Sequence, residues 1–331
     1  MQLSPELLLI EKRNGLTELQ YYGYVVYCNA DKNIKTFGKT NNYPFFQRSC
    51  AKPLQASIIQ DLKTKDYFNL TDEEIAVCCA SHTGEPVHIE ILRNLLKKAG
   101  LSESDLKCPA IAPLNKEEQI KFKTYLALHN NCSGKHTLML AVCKQMGWDT
   151  KTYLKTDHPI QKLIYTKIKE LCETENELPL TADGCGAPNC AASLEELAIG
   201  FYNLFCTENY PDIKYAAIKN PYLMGGQDRP ETQIMQMNHK LIAKAGAGGL
   251  LCIANTDTQE VLAFKIMDAD MKARNIIAIE TMLQLNWLNI NSIDKNLLKN
   301  SLNKIVTTEN GQKVGEYALS PNLDKWINSN F

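Results

Sequence analysis

Apolar and polar positions alternate over the first forty residues, with polar turns between the alternating runs. The runs are Glu6–Ile10, Gln20–Tyr27 and Ile34–Lys39, and Asn14-Gly15 and residues 29–33 separate them. A period of two indicates strands with one buried face, and Asn-Gly is a preferred hairpin turn. The N-terminal region is therefore predicted to form an antiparallel meander.

The pattern changes to a helical one from Ser49 to about Lys244. Apolar side chains there recur every three or four residues, which is typical of helices packed on a core. The predicted helices are Ser49–Lys63, a helix opened by the capping-box pattern Thr71–Glu74, Glu85–Lys98, Ser133–Met146, Pro159–Cys172, Cys190–Cys206 and Pro230–Ala243.

Strand patterns return towards the end of the chain. Gly249–Asn255 and Glu260–Met267 are apolar runs joined by a short polar turn, and a long helix and further short strands follow. With strands at both chain ends and helices between them, the simplest arrangement is one antiparallel sheet with an inserted helical region.

We therefore predict an α/β (α+β) fold for the whole chain, 1–331, as a single catalytic unit. Residues 1–48 and 245–331 are expected to form the sheet, and residues 49–244 the mainly helical part.

Composition and charge narrow the class of partner. A net charge of −1 over 331 residues offers no electrostatic attraction to nucleic acid or to an anionic membrane. The chain has no apolar run of about 18 residues, and its first residues lack the basic start of a signal peptide. We expect a cytoplasmic protein that acts on a small molecule. Its twelve cysteines are then expected to be reduced and mostly buried.

Ser49 and Lys52 have the Ser-x-x-Lys spacing of serine nucleophiles that use a lysine base. Three further pairs share the spacing: Ser104 with Lys107, Ser292 with Lys295, and Ser301 with Lys304. Near the start of a helix, the dipole and Arg48 disfavour a charged Lys52, as a base requires. The alternative is that Ser49 caps the helix and Lys52 is solvated.

Two further segments offer polar side chains at positions suited to a site. Residues 80–85 (Ala-Ser-His-Thr-Gly-Glu) form a polar corner between two predicted helices, which is either a site loop or a capped junction. Lys265 interrupts an apolar strand, so it either extends to solvent or projects into a site.

Cysteines near two helix starts raise the possibility of a metal site. Cys132, Lys135 and His136 share one helix face, and Cys185 lies in the glycine-rich segment 183–190. Two thiolates with one or two nitrogens suit zinc. The alternative is that these cysteines are small core residues.

Taken together, these segments resemble the rhizobial-type (class 3, asparaginase II) L-asparaginases. The matching stretches are residues 48–55, 80–85, 131–136 and 183–188, and Lys265 in its strand; they follow the family's order and span nearly the whole chain. The resemblance implies a serine β-lactamase/glutaminase-like fold and a homodimer.

The same resemblance implies particular roles for these residues. It implies two Ser-Lys tandems, Ser49 with Lys52 and Ser81 with Lys265. It also implies Zn2+ bound by Cys132, Lys135, Cys185 and a water molecule. The helix start is expected to lower the pKa of Lys135, and zinc would lower it further.

The predicted reaction is hydrolysis of the side-chain amide of L-asparagine to L-aspartate and ammonia. Ser49 would attack with Lys52 as base, and Ser81 with Lys265 would relay protons. Arg48, Asp183 and His82 are predicted to contact substrate. The alternatives are a β-lactamase-like amidase with another substrate, a non-catalytic zinc-stabilised binding protein, and a metallo-amidase that uses zinc-bound water.

Overall fold

A computed structural model gives the structure of residues 3–330, and its main feature is one eight-stranded antiparallel sheet. The strand order is β10-β11-β1-β2-β9-β8-β7, and β3 pairs with β2 beside this path. The strands are β1 (Glu6–Arg13), β2 (Leu16–Cys28), β3 (Ile34–Phe37), β7 (Leu241–Gly246), β8 (Leu250–Asn255), β9 (Glu260–Ile266), β10 (Ile305–Thr307) and β11 (Lys313–Leu319). Both chain ends supply strands, which confirms the predicted sheet with an inserted helical region.

The hairpin between β1 and β2 shows how local sequence fixes this sheet. Arg13 pairs with Leu16, so only Asn14 and Gly15 form the loop. Both have positive φ, 47° and 79°, which defines the type I′ turn preferred between two antiparallel strands. The predicted Asn-Gly turn is thereby confirmed.

A second, smaller sheet lies in the helical part and brings two distant segments together. It has the order β4-β6-β5, formed by β4 (Phe45–Phe46), β5 (Leu180–Ala182) and β6 (Pro188–Ala192). Because β4 pairs with β6, the chain just before Ser49 lies against the loop 183–187.

Helices surround both sheets. They are α1 (Ala51–Ala56), α2 (Ile58–Asp61), α3 (Thr64–Phe68), α4 (Asp72–Cys79), α5 (Pro86–Lys98), α6 (Lys116–Gln119), α7 (Ser133–Met146), α8 (Pro159–Leu171), α9 (Leu194–Phe201), α10 (Pro211–Lys219), α11 (Pro230–Met237), α12 (Met271–Gln284), α13 (Lys295–Ser301) and α14 (Pro321–Asn330). The capping box at Thr71 and Glu74 is present as predicted. Within residues 3–330, every helix is too short or too polar to cross a bilayer.

Three predicted helices differ from the observed elements. The helix expected over Ser49–Lys63 is a 3-10 turn followed by α1 and α2. It ends at Asp61 because Leu62 adopts a non-helical conformation and Lys63 a left-handed one. The helix expected over Cys190–Cys206 begins only at Leu194, after a capping box on Ser193, because its first residues belong to β6. The helix expected over Pro230–Ala243 ends at Met237, and a polar turn leads into β7.

Strands β7, β8 and β9, at one end of the sheet, are covered on both faces. Every residue of β7 and β8 is buried, as are most residues of β9. Such strands read as continuous apolar runs rather than as alternating ones. All twelve cysteines are also buried, as predicted, and none forms a disulfide within the described residues.

Candidate active site

Ser49 lies in a tight turn between β4 and α1. The preceding residue, Arg48, has φ of 49°, a left-handed conformation that costs a non-glycine residue roughly 1–3 kcal/mol. The Asn189 side chain holds this turn: Arg48 N–H donates to Asn189 Oδ1 (3.2 Å), and Asn189 Nδ2 donates to Arg48 O (3.4 Å). Strand β6 therefore fixes the backbone that presents Ser49.

Lys52 lies one turn further along and is 0% exposed. Its Nζ is 2.8 Å from Ala80 O, 2.9 Å from Asn131 O and 3.0 Å from Ser81 Oγ. Burial, aided by the Lys244 cation, lowers the pKa of Lys52 to about 8. A neutral amine has two protons for the two carbonyl oxygens and a lone pair for the Ser81 hydroxyl. These contacts suit a lysine base.

Ser49 and Ser81 differ in solvent exposure and in their hydrogen-bond partners. Ser81 is 1% exposed, whereas Ser49 is half-buried. Ser49 Oγ has no hydrogen-bond partner among residues 3–330. Ser49 and Lys52, which are predicted to act as a tandem, are therefore not hydrogen-bonded to each other in this structure, because the amine of Lys52 is directed at Ser81.

A second buried lysine, Lys244 on β7, contacts Ser81 from the other side. Its Nζ lies 2.9 Å from Ser81 Oγ, 3.0 Å from Glu231 Oε1 and 3.0 Å from Ala245 O. Burial alone would raise the pKa of Glu231, but Lys244 and Arg229 beside it lower it to about 2. Ser81 thus lies between two lysine nitrogens, one of which is paired with a buried carboxylate.

The predicted pairing of Ser81 with Lys265 is wrong. Lys265 Nζ donates to Gly248 O (2.6 Å) and Ile266 O (3.1 Å), and it lies 5.7 Å from the Phe45 ring centroid. Lys265 is on β9, which is separated from β7 by β8. At about 4.8 Å per strand, its backbone lies roughly 10 Å from that of β7.

His82 is not available as a substrate contact, contrary to prediction. Gly84 N–H donates to His82 Nδ1 (3.1 Å), so Nε2 carries the proton and donates to Ser133 Oγ (2.8 Å). The ring is 0% exposed, and burial together with neighbouring His88 holds its pKa well below the usual value. His82 is a neutral side chain that anchors the loop after Ser81.

Glu85 fixes the other end of this loop. Its carboxylate accepts from the Thr83 hydroxyl, from Tyr222 OH (2.6 Å) and from Gln227 N–H (3.1 Å). Gly226 has φ of +119°, and a Cβ there would lie 1.9 Å from Thr83 Oγ1. Only glycine allows this close approach, so the segment around Gly226 locks the Ser81 loop in place.

The predicted metal residues converge beside the lysine-serine cluster. Cys132 Sγ, Cys185 Sγ and an Asp183 carboxylate oxygen all lie within 4.8 Å of one another. Zinc bonds of about 2.0–2.3 Å place ligand atoms roughly 3.3–3.8 Å apart, so a small adjustment would bring this group onto one ion. A hydrogen bond from Cys185 holds the pKa of Cys132 well below its usual value, as a metal-binding thiolate requires. The donor set fits zinc.

Lys135 lies beside the same predicted metal site, but its pKa is not lowered as expected. Its Nζ lies 3.6 Å from Asp183 Oδ2, and it is 2% exposed. Burial alone would lower the pKa of Lys135, but Cys132 and Cys185 raise it above the usual value. Lys135 must therefore lose a proton before it can bind a metal, whereas Asp183 is an anion already within reach.

The metal residues and the Ser49 turn are joined by Arg48 and Asp183. Arg48 Nε donates to Asp183 Oδ1 at 2.9 Å, and the Arg48 side chain is 38% exposed. The two predicted substrate residues thus form an ion pair at the open side of the cluster. The remaining guanidinium nitrogens of Arg48 are not bonded to Asp183.

Two residues of this cluster were missed from sequence, Lys244 and Glu231. Glu231 was assigned to the predicted helix Pro230–Ala243, and Lys244 to the end of the helical region, although residues 241–246 form β7. A signal was present: Lys244 breaks an apolar run and is followed by Ala245-Gly246, the lysine-x-glycine order that β-lactamase-like enzymes use on a strand.

The chain is similar to a known protein family and to solved structures. Residues 10–319 match the family of L-asparaginase II. No curated protein matches the chain significantly. A β-lactamase structure from Mycobacterium bovis has a TM-score of 0.44 at 12% identity, covering 79% of this chain and 94% of that one. A candidate β-lactamase from Bacteroides dorei has a TM-score of 0.39 at 12% identity, covering 74% and 85%.

The family match covers nearly all of the described sheet and the whole serine-lysine cluster. It supports an amidohydrolase acting on a small molecule. The chain therefore belongs to the L-asparaginase II family.

Proposed function

We propose that the protein hydrolyses the side-chain amide of L-asparagine to L-aspartate and ammonia. The observation that carries the proposal is the Ser81 hydroxyl between Lys52 Nζ (3.0 Å) and Lys244 Nζ (2.9 Å), beside the turn that presents Ser49. This arrangement provides a base, a proton relay and an accessible nucleophile in a chain of the L-asparaginase II family.

Ser49 is the proposed nucleophile because it is the more accessible serine. Its hydroxyl turns towards Lys52, which takes the proton as Ser49 Oγ bonds to the amide carbon. When the carbon–nitrogen bond breaks, Ser81 gives its proton to the leaving nitrogen, and Lys52 returns a proton to Ser81. Ammonia leaves, and water then hydrolyses the Ser49 ester to release aspartate by the same groups in reverse.

Arg48 and Asp183 are the proposed contacts for the charged end of the substrate. Arg48 keeps guanidinium nitrogens that do not bond Asp183, and these suit the α-carboxylate. Asp183 suits the α-amino group, because Lys135 and Arg48 lower its pKa although burial opposes this. Side-chain amides that lack both charged groups are expected to be poor substrates.

Zinc is proposed as the resident metal. Cys132 and Cys185 would hold it, with Lys135 after loss of its proton or with Asp183 as the next ligand. When bound, the ion supplies positive charge that orients Asp183 and substrate; water activation is not required of it. We also propose that the protein acts in the cytoplasm as a homodimer, which light scattering of the purified protein tests.

The test is ammonia release from L-asparagine by the wild type, Ser49→Ala and Ser104→Ala. Ser104 is the matched control, because it has the same Ser-x-x-Lys spacing but is exposed and remote from the cluster. Wild type and Ser104→Ala should be equally active, and Ser49→Ala should lose at least about a thousandfold in rate.

Equal rates for wild type and Ser49→Ala would refute the mechanism. Wild-type inactivity would refute the substrate. Mass spectrometry of the trapped acyl-enzyme locates the nucleophile, and an adduct on Ser81 alone would reverse the roles of the two serines.

A further inference from the structure

Glu231 is a fully buried carboxylate beneath the serine-lysine cluster. It lies in the first turn of α11, and both Glu231 and Lys244 are 0% exposed. Their ion pair of 3.0 Å is therefore shielded from water on both sides. Buried charges destabilise the fold unless they are paired, so a buried ion pair at this position points to a role beyond stability.

The hydrogen-bond partners of Lys244 fit an ammonium. Its three neighbours are Glu231 Oε1, Ala245 O and Ser81 Oγ, which match the three protons of an ammonium. A carboxylate and a carbonyl only accept, so two protons go to them. The third goes to Ser81.

The same partners indicate which way the hydrogen bonds of the Ser81 hydroxyl run. Its oxygen accepts from Lys244, so its own proton is free to point at Lys52. The two protons of a neutral Lys52 amine are used by Ala80 O and Asn131 O, which leaves its lone pair for that proton. Lys52 has the same number of partners as Lys244, but none of them is a carboxylate, so the two lysines are suited to opposite states: Lys244 to an ammonium and Lys52 to a neutral amine.

Glu231 is the carboxylate that makes the difference between them. The other charged or titratable groups near Lys244 from the elements packed on it are Lys52 on α1, Cys79 on α4, Cys252 on β8, and Cys50 at its carbonyl oxygen, and Arg229, just before α11, lies beside Glu231. Arg274 on α12 lies beyond, close enough to interact with Glu231. None of these carries a carboxylate, so Glu231 is the principal counter-charge of Lys244 in residues 3–330.

We propose that Glu231 is a positioning residue, which keeps Lys244 an ammonium that donates a hydrogen bond to Ser81 and so leaves proton acceptance to Lys52. The inference deepens the proposed amide hydrolysis and rests on it. During the reaction Lys244 keeps its three protons and stabilises the Ser81 oxygen, while the mobile proton passes between Lys52, Ser81 and the leaving nitrogen.

The kinetic test is the pH profile of Glu231→Gln, which keeps the shape of the side chain and removes its charge. We expect kcat to fall at least about tenfold at neutral pH with KM little changed, and the alkaline limb to move down by about one pH unit or more. Glu231→Asp keeps the charge, so its alkaline limb should stay in the wild-type position even where its rate is lower.

Glu74→Gln is the control for a purely structural loss. Glu74 is 4% exposed and pairs with Lys98 at 2.8 Å, away from the cluster. Its replacement should lower stability and leave the pH profile unchanged. A profile of Glu231→Gln that coincides with that of Glu74→Gln would overturn the proposal.

A second measurement needs no substrate. In protein labelled with 13C at lysine, the Cε resonance of Lys244 is assigned by its loss in a Lys244 variant. It should report an ammonium to higher pH in wild type than in Glu231→Gln.

Identical titration in both proteins would overturn the role of Glu231, whatever the activity. If the resonances differ as expected but the wild type releases no ammonia, the proposed function is refuted and the ion-pair assignment stands.

Discussion

Replacement of Lys244 by methionine separates the two lysines that could serve Ser81. Methionine keeps the length and removes the charge, so Ser81 loses its donor at 2.9 Å and Glu231 loses its partner at 3.0 Å. Lys265→Met is the matched control, because Lys265 bonds only backbone carbonyls on β9 and beside it.

The expected magnitudes follow from burial. Loss of one preorganised donor at a reacting group lowers kcat by about 10²–10³-fold. Loss of one partner of a buried ion pair destabilises the fold by about 3–5 kcal/mol, and Arg229 at 3.5 Å from Glu231 places the expected loss at the lower end of this range. The double variant Lys244→Met with Glu231→Gln removes that charge, so it should be more stable than Lys244→Met alone and equally inactive. Lys265→Met should lose about 1 kcal/mol or less and keep its activity.

Urea unfolding and ammonia release from L-asparagine measure both quantities on the same four proteins. The reasoning is refuted if Lys265→Met is inactive while Lys244→Met is active. It is also refuted if the double variant is no more stable than Lys244→Met, since the charge of Glu231 would then cost nothing in the absence of Lys244.

Three further outcomes test other parts of the site. Since Lys52 must be neutral to act as base, kcat/KM should rise with pH through about 8, and Lys52→Arg, which stays charged, should be inactive across the profile. Cys132→Ser should bind less zinc by elemental analysis and melt at a lower temperature, whereas equal zinc content would exclude Cys132 as a ligand. Gly226→Ala should destabilise by about 2 kcal/mol or more in thermal unfolding and lower activity, because its Cβ meets Thr83; Gly184→Ala, with open space, should do neither.

The architecture was predictable because its signals are local. Alternation at the N-terminus, the Asn14-Gly15 turn and the capping box at Thr71 each specify an element without help from the rest of the fold. Three candidate site residues at the start of the helical part were identified in the same way. Ser49, Lys52 and Ser81 lie in short motifs of characteristic spacing.

The partner of Ser81 was missed, because the lysine-x-glycine signal at Lys244 is short and competes with Lys265. Lys244 and Lys265 both interrupt apolar strands, and only the strand order decides which one meets Ser81. Strand order is set by long-range pairing, which leaves no periodic trace in the sequence. The helix predicted over Pro230–Ala243 added to the error, because Leu241-Ile242-Ala243 fits a helical stripe as well as a buried strand.

The left-handed turn at Arg48 was equally hidden. A non-glycine residue with positive φ has no sequence signature when the restraint comes from elsewhere, here the Asn189 side chain. The neutral state of His82 depends in the same way on Gly84 N–H and Ser133, which fix its tautomer.

The position of β7 at the end of the sheet has a consequence for solubility. A terminal strand exposes unpaired backbone groups that another chain can use to extend the sheet. Here the carbonyl of Lys244 accepts from the Cys50 thiol at 3.1 Å, so the turn that carries Ser49 lies against that edge. The segment that carries the proposed nucleophile thus also covers the edge of the sheet. Any change that loosens this turn would be expected to expose a largely apolar strand and promote aggregation before the core unfolds.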